Sequence, residues 1–356
     1  MEFGLSSEQT LLQDSVNRYL GEQLPLDAVR QVASGDSADS DIWSGLADLG
    51  IPGLLVSESN GGLGLSSMDA AIVAESLGYH VTPSPFLSSA VMAPVILQSA
   101  GKREELLGSV AAGEIRIGIG LGEGIGARAD AGLTFSSGKL NGKSLFVLDA
   151  SADWYLVSDA SRQLYLVAAD ADGVTRRLLE TVDLTRSTCE LVFNDAPAEK
   201  VSSDASVFNH ALDAGLVTIS ADTLGTAQCA LDQAVAYAMQ REQFNRVIAS
   251  FQAVKHMCAE MAAALEPCRS MVWYAGHALD HLPDEASMMA SHTKAHLSEV
   301  GQFVTRTATE VHGGMGFTDL VGLHYWFKRA GFNRQLLGSP ELHRERAAEV
   351  QGLVSP

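Results

Sequence analysis

The sequence is poor in cysteine, aromatic residues and positive charge, and it has no long apolar run. Its four cysteines, Cys189, Cys229, Cys258 and Cys268, show no C-x-x-C spacing and sit among apolar neighbours. That pattern argues against a zinc module and suits buried thiols in a reducing cytoplasm, the expected location. No stretch is apolar for long enough to cross a bilayer, and "MEFGLSSEQT" lacks a basic segment followed by an apolar one, so neither a membrane span nor a secretory leader is expected. Lys and Arg number 24 against 43 Asp and Glu, a formal charge of −19. Nucleic acid is therefore not an expected partner, because its phosphates call for a basic surface. A phosphate-bearing small molecule could still sit on a local basic cluster. Two such clusters exist, Lys328 and Arg329 with Arg334, and Arg344 with Arg346; solvated helix faces are the alternative reading. The ten histidines, among them His210, His312, His324 and His343, show no H-E-x-x-H spacing, so no metal is expected. Neither a G-x-S-x-G elbow nor a P-loop is present.

What is present falls into three textures. At 356 residues the chain is long enough for two or three packed modules. Residues 1–113 read as helical: Leu11, Leu12, Val16, Tyr19 and Leu20 recur at helical spacing, Gly50 suits a helix end, and Ser66-x-x-Asp69 is a variant capping box. Helices are also expected over 85–100 and 102–112. Residues 114–202 change to short alternating runs divided by Gly, Asn, Asp and Ser, the pattern of a small β domain, barrel or sandwich. Long helical periods then return over 203–356, at 205–240, 250–281, 284–312 and from 339, as in a helical bundle. The expected class is α+β, with a β domain between two helical ones.

Several motifs bear on chemistry. Gly122-x-Gly124-x-x-Ala127 follows a strand-like run, but strand and turn residues follow it where a dinucleotide fold needs a helix. Gly313 and Gly314 end a helix; they serve either as a cap and turn, or as a place where a ligand reaches the backbone unobstructed by a Cβ. The stretch "REQFNRVIASFQAVKH" at 241–256 reads as one broken helix, with Arg241 and Phe244 three apart on one face and Gln252 and His256 sharing the next. Arg offers a forked donor for phosphate and Phe a face for a heterocycle.

Taken together, these segments resemble the acyl-CoA dehydrogenases. "YAMQREQFNRVIASFQAVKH" is similar to that family's Tyr-Ala-x-x-Arg-x-x-Phe-Gly-x-x-Ile-x-x-Phe-Gln run. "EVHGGMGFT" is similar to its Gln-x-x-Gly-Gly-x-Gly-Phe segment, "SESNGGLGLS" to its N-terminal Glu-x-x-Gly-Gly-x-Gly turn, and "KLNGKSLFVLDASADWYLV" to a strand of its β domain. The matches lie in order over nearly the whole chain. The resemblance implies an FAD-dependent α,β-dehydrogenation of an acyl-CoA thioester, in which a carboxylate takes the α proton and hydride passes to the flavin. It also implies dimers in which each flavin is held by two subunits. Arg241 would meet the pyrophosphate, Phe244 and Gln252 the adenosine end, and Gly313 and Gly314 the close backbone approach, with His256 and Glu310 also among the expected cofactor-binding residues.

The departures from the family pattern concern the redox end. The flavin-facing Thr-Glu-Pro-x-x-Gly-Ser-Asp stretch is replaced by "GLGEGIGARAD", its Trp by Phe146, a Thr by Leu148, and the Gln before Gly-Gly by Glu310. The two positions where the family carries its catalytic base hold Leu337 and Gly215, neither of which accepts a proton. Asp222 and Glu341 are the substitute candidates. This pattern resembles the base-lacking chain of heteromeric acyl-CoA dehydrogenases acting on steroid or bile-acid side chains. The expectation is therefore a chain that pairs with a homologous catalytic subunit, as a heterodimer or α2β2 heterotetramer, and completes that partner's FAD site. The alternatives are a homo-oligomeric dehydrogenase with a relocated base, and a flavin-free acyl-CoA-binding scaffold.

Overall fold

The computed structural model describes residues 4–35, 39–126 and 132–354. Ala127, the last position of the glycine motif at 122–127, lies outside them. The N-terminal part is helical: α1 (Ser7–Gln23), α2 (Leu26–Ser34), α3 (Ser40–Asp48), α4 (Ser67–Tyr79), α5 (Ala93–Ala100) and α6 (Glu104–Ala111). The expected capping box forms at α4, where the Ser66 amide donates to Asp69 Oδ2 at 2.9 Å and the Asp69 amide to Ser66 Oγ at 3.2 Å. Gly50 sits just past α3 with φ 77, the left-handed conformation that lets a chain leave a helix. On α1, Val16 and Leu20 are buried as expected, but Leu11 is 67% exposed. Its position lies at the edge of the apolar stripe rather than in it.

The middle part is one eight-stranded sheet: β1 (Ile117–Gly120), β2 (Thr134–Ser136), β3 (Lys139–Leu148), β4 (Trp154–Ser158), β5 (Leu164–Ala168), β6 (Val174–Leu178), β7 (Thr188–Pro197) and β8 (Glu199–Ser202). The strand order is β6-β7-β3-β1-β4-β5-β8, with β2 paired to β3. Only β1 and β4 run parallel; the other pairings are antiparallel. The β3–β7 register slips between Ser144 and Val147, and at that irregularity Phe146 takes φ 55. The slip turns Phe146 out of the ladder.

The C-terminal part is built on α7 (Ala205–Gln240), a 36-residue helix buried on every side for most of its length. An all-round apolar helix is the centre of a bundle. α7 and α4 pack backbone to backbone: a Cβ on Gly78 would lie 1.9 Å from the Asp222 carbonyl oxygen, and one on Gly225 1.8 Å from that of Glu75. Only glycine permits this approach.

The expectation of a broken helix across 241–256 is corrected here. α7 stops at Gln240, and Arg241 is extended (φ −72, ψ 124). A hairpin of β9 (Glu242–Gln243) and β10 (Arg246–Val247) follows before α8 (Gln252–His281). Phe244 and Asn245 form its tip with φ 54 and 61, values a helix cannot contain and a two-residue hairpin turn requires. Arg241 and Phe244 therefore share no helix face. α9 (Pro283–His312), α10 (His324–Gln335) and α11 (Pro340–Val350) complete the bundle. The sequence periodicity missed α2 and α10. α10 buries residues on several sides, Tyr325, Trp326, Arg329 and Asn333 among them, so it shows no simple stripe.

Candidate functional site

Between the sheet and the bundle lies a cavity of about 690 Å³. One wall comes from the β1–β2 connection and the β3 irregularity, with Gly122, Ile125 and Phe146, and from the segment at Thr181 and Val182. The opposite wall is the end of α10 and the turn after it, with Phe332, Leu336, Leu337, Gly338 and Ser339. Leu337 has φ 57, and its carbonyl is 2.8 Å from Nε2 of the buried His343. Burial, and then the nearby Lys294 ammonium, push the His343 imidazole down to about 3, so it is neutral and donates that bond. Glu180 is the one carboxylate among the described lining residues, and no motif pointed to it.

Gly215 and Leu337, the two positions where the resemblance set the expected base, come together. A Cβ built on Gly215 of α7 would lie 2.8 Å from Leu337 Cδ1 and 2.9 Å from Met92 Sδ. The space beside Gly215 is filled by hydrocarbon and thioether.

Neither substitute candidate is available for that task. Asp222 is buried and accepts from Arg329 Nε at 3.0 Å and Nη2 at 2.6 Å, and from Asn333 Nδ2 at 2.6 Å; Arg186 Nη2 lies 3.0 Å away. Burial pushes this carboxyl up, but the two guanidinia and the hydrogen bonds outweigh burial and leave it down at about 2. Glu341 is exposed and pairs with Arg334 at 2.9 Å. Hydrogen bonds from Ser339 and its own amide, with Arg334, hold it down at about 2. Both readings as a base are corrected: one carboxylate ties α7 to α10 and the segment before β7, and the other pairs with Arg334 in the first turn of α11, which Ser339 caps. The basic clusters read from sequence dissolve in the same way. Arg329 is buried on Asp222, while Arg344 pairs with Glu299 and Arg346 with Asp213.

A second group of site residues converges at the far end of the bundle. Arg241 and the exposed Phe244 project from the hairpin, and Gln252 and His256 lie one turn apart at the start of α8, their side chains 3.4 Å apart. Gly313 and Gly314 follow α9, and a Cβ on either would meet nothing within 4 Å. Glu310 is drawn aside by Arg306 at 3.3 Å. The two halves of this end are joined by a contact the sequence did not reveal: Tyr237, one turn before Arg241, stacks on His312 with ring centroids 4.5 Å apart. His312 Nδ1 is 2.8 Å from the Ala308 carbonyl, and burial lowers its pKa, so the stacked ring is neutral. An open glycine turn beside a guanidinium and an exposed ring suits the diphosphate and base of a nucleotide.

Sequence profiles described as acyl-CoA dehydrogenase, N-terminal domain and C-terminal domain match residues 6–114 and 205–352. The chain belongs to the acyl-CoA dehydrogenase family. Acyl-CoA dehydrogenases are flavin-dependent oxidoreductases acting on acyl-CoA thioesters, with FAD as their cofactor. Acyl-CoA dehydrogenase IpdE2 of Mycolicibacterium smegmatis is 28% identical over 350 residues, 97% of this chain and 100% of that one. Among solved structures, the Tcur3481-Tcur3483 steroid acyl-CoA dehydrogenase superposes with a TM-score of 0.88 at 26% identity, over 97% of this chain and 98% of the other. The ChsE4-ChsE5 complex of Mycobacterium tuberculosis has a TM-score of 0.90 at 24% identity over the full length of both chains, a likeness of fold. Among the described residues, no helix is long and apolar enough to cross a membrane, and no group of three or more His, Cys, Asp or Glu is placed to hold a metal ion.

The residues present fit FAD unequally. The bundle end offers the open turn and forked donor that its ADP moiety needs. The cavity has the volume for a ring system, and Leu337 stands on its wall. The two places are also far apart: Gly215 and Gln240 lie about 38 Å from each other along α7 at 1.5 Å per residue.

Proposed function

We propose that this chain is the base-lacking subunit of a heteromeric acyl-CoA dehydrogenase, and that it completes the FAD site of a homologous catalytic partner. The observation carrying this reading is the meeting of Gly215, Leu337 and Met92 at the position of the family's base. General-base catalysis contributes roughly 10²–10⁴-fold, so a chain without the base is a poor catalyst alone. The length of α7 supports the division of labour. One dinucleotide does not reach from the bundle end to the cavity of the same protomer, so Arg241, Phe244, Gln252, His256 and the Gly313-Gly314 turn face a flavin whose ring lies in another subunit. FAD supplies the hydride acceptor there; this chain binds and orients its ADP end. The steroid enzyme named above points to a bulky acyl group as substrate and to an unlike homologous chain as partner.

The test is expression of the chain alone and with a dehydrogenase homologue that carries the missing glutamate. Alone, the chain should purify flavin-poor and inactive. With the homologue it should form a yellow, active hetero-oligomer, and Arg241→Ala in this chain should lower flavin content. A flavin-loaded, fully active homo-oligomer refutes the proposal.

A further inference from the structure

Arg241 has a neighbour that the sequence motifs passed over. In the hairpin Arg246 pairs with Gln243 and Val247 with Glu242, and the Ile248 amide donates to the Arg241 carbonyl at 2.7 Å. Opposed residues of an antiparallel pair share a face, as do residues two apart on a strand. Arg241, Gln243 and Arg246 therefore lie on one face, with Glu242 on the other. The Arg246 guanidinium lies over the Phe251 ring, 3.9 Å from its centroid, and that ring meets Phe244 edge-on at 6.1 Å. Stacking fixes the plane of a guanidinium while leaving its in-plane N–H donors free. Among the described residues, no ion pair includes either Arg241 or Arg246. Two uncompensated cations on one small face are unusual in a chain with 43 acidic residues against 24 basic ones. They repel each other until an anion of about two charges lies between them.

We propose that Arg246 is a second guanidinium of the nucleotide half-site, gripping the diphosphate together with Arg241 while Phe251 holds its fork in place. This rests on reading the bundle end as the site for the ADP moiety. It adds a binding residue and its platform, and it makes the diphosphate the part of the ligand this face recognises.

Calorimetric titration of the purified full-length chain with ADP, and with adenosine as the uncharged control, tests it. Wild type should bind ADP more tightly than adenosine. Arg246→Ala should weaken ADP about ten- to a hundredfold, as loss of charge-assisted hydrogen bonds does, and leave adenosine unchanged. Arg246→Lys should recover only part of that loss, because a point charge does not reproduce the fork. Phe251→Leu, which keeps both cations and removes the platform, should weaken ADP a few-fold. Should Arg241→Ala weaken ADP while Arg246→Ala does not, the inference is overturned and the reading of the bundle end stands. Should wild type not bind ADP at all, both fall.

Discussion

Removing the Asp222 carboxylate separates a structural role from a catalytic one. The side chain is buried and pairs with two arginines at once, Arg329 at 2.6 Å and Arg186 at 3.0 Å, the latter shared with the buried Asp183 at 3.7 Å, while Asn333 donates to it at 2.6 Å. Arg329 also donates to the Thr82 carbonyl at 3.1 Å and to Thr185 Oγ1 at 3.0 Å. The cluster therefore joins the N-terminal helices, the segment leading into β7, and the bundle. Deleting one partner of a buried ion pair costs about 3–5 kcal/mol, since the remaining charge is left without compensation. Whole proteins are stable by only about 5–15 kcal/mol, so Asp222→Ala should lower the urea unfolding midpoint severely. Asp222→Asn, which keeps an acceptor and loses only the charge, should fall between. Asp222→Leu combined with Arg329→Met should recover much of the loss, because a well-packed apolar pair replaces a buried ionic one at little cost. The reasoning fails if Asp222→Asn unfolds at the wild-type urea concentration yet abolishes turnover of the assembled enzyme. Asp222 would then be a base after all.

His343 makes a prediction in acid. Its folded-state pKa of about 3 lies below the ordinary 6.5, so the unfolded chain binds a proton that the native one refuses. Stability should fall as pH drops from about 6.5 towards 3, by up to about 1.4 kcal/mol per pH unit, and unfolding curves of His343→Gln should lack that slope. The Asp222 contribution runs at lower pH: it is complete above about 3.8 and lost as pH falls through about 2. Placing a carboxylate at position 215 is a steric problem before it is a chemical one. Gly215→Glu should destabilise by about 1–3 kcal/mol through overpacking against Leu337 and Met92, and Leu337→Ala in the same chain should relieve it, as thermal melts would show.

The three-layer order of helices, sheet and helices was legible because long periodic segments and short alternating ones differ over many residues. Helix α7 was placed to the residue, and the capping box at Ser66 and Asp69 formed as read. That Gly215 and Leu337, 122 positions apart in sequence, meet in the fold was not legible. Asp222 was misjudged for a related reason: on a helix buried all round, a carboxylate has no solvated face, and its partners are distant in sequence, Arg329 on α10 107 positions on and Arg186 before β7. The hairpin at 242–247 was hidden because helix-like spacing of Arg241 and Phe244 survives in a segment that is not helical. Asn245 was the available signal, since asparagine is among the few residues at ease with positive φ.

The tip of that hairpin has a consequence for anyone who engineers the protein. Phe244 holds a left-handed backbone that bulky side chains resist, and 87% of its surface faces solvent, so within its own chain the ring gives little back for roughly 1–2 kcal/mol of conformational strain. Glycine would be more comfortable there. A laboratory selection that rewards only survival on heating would therefore drift towards Phe244→Gly and discard the aromatic group. The resulting polypeptide would be hardier and, on the function proposed above, poorer at holding its nucleotide.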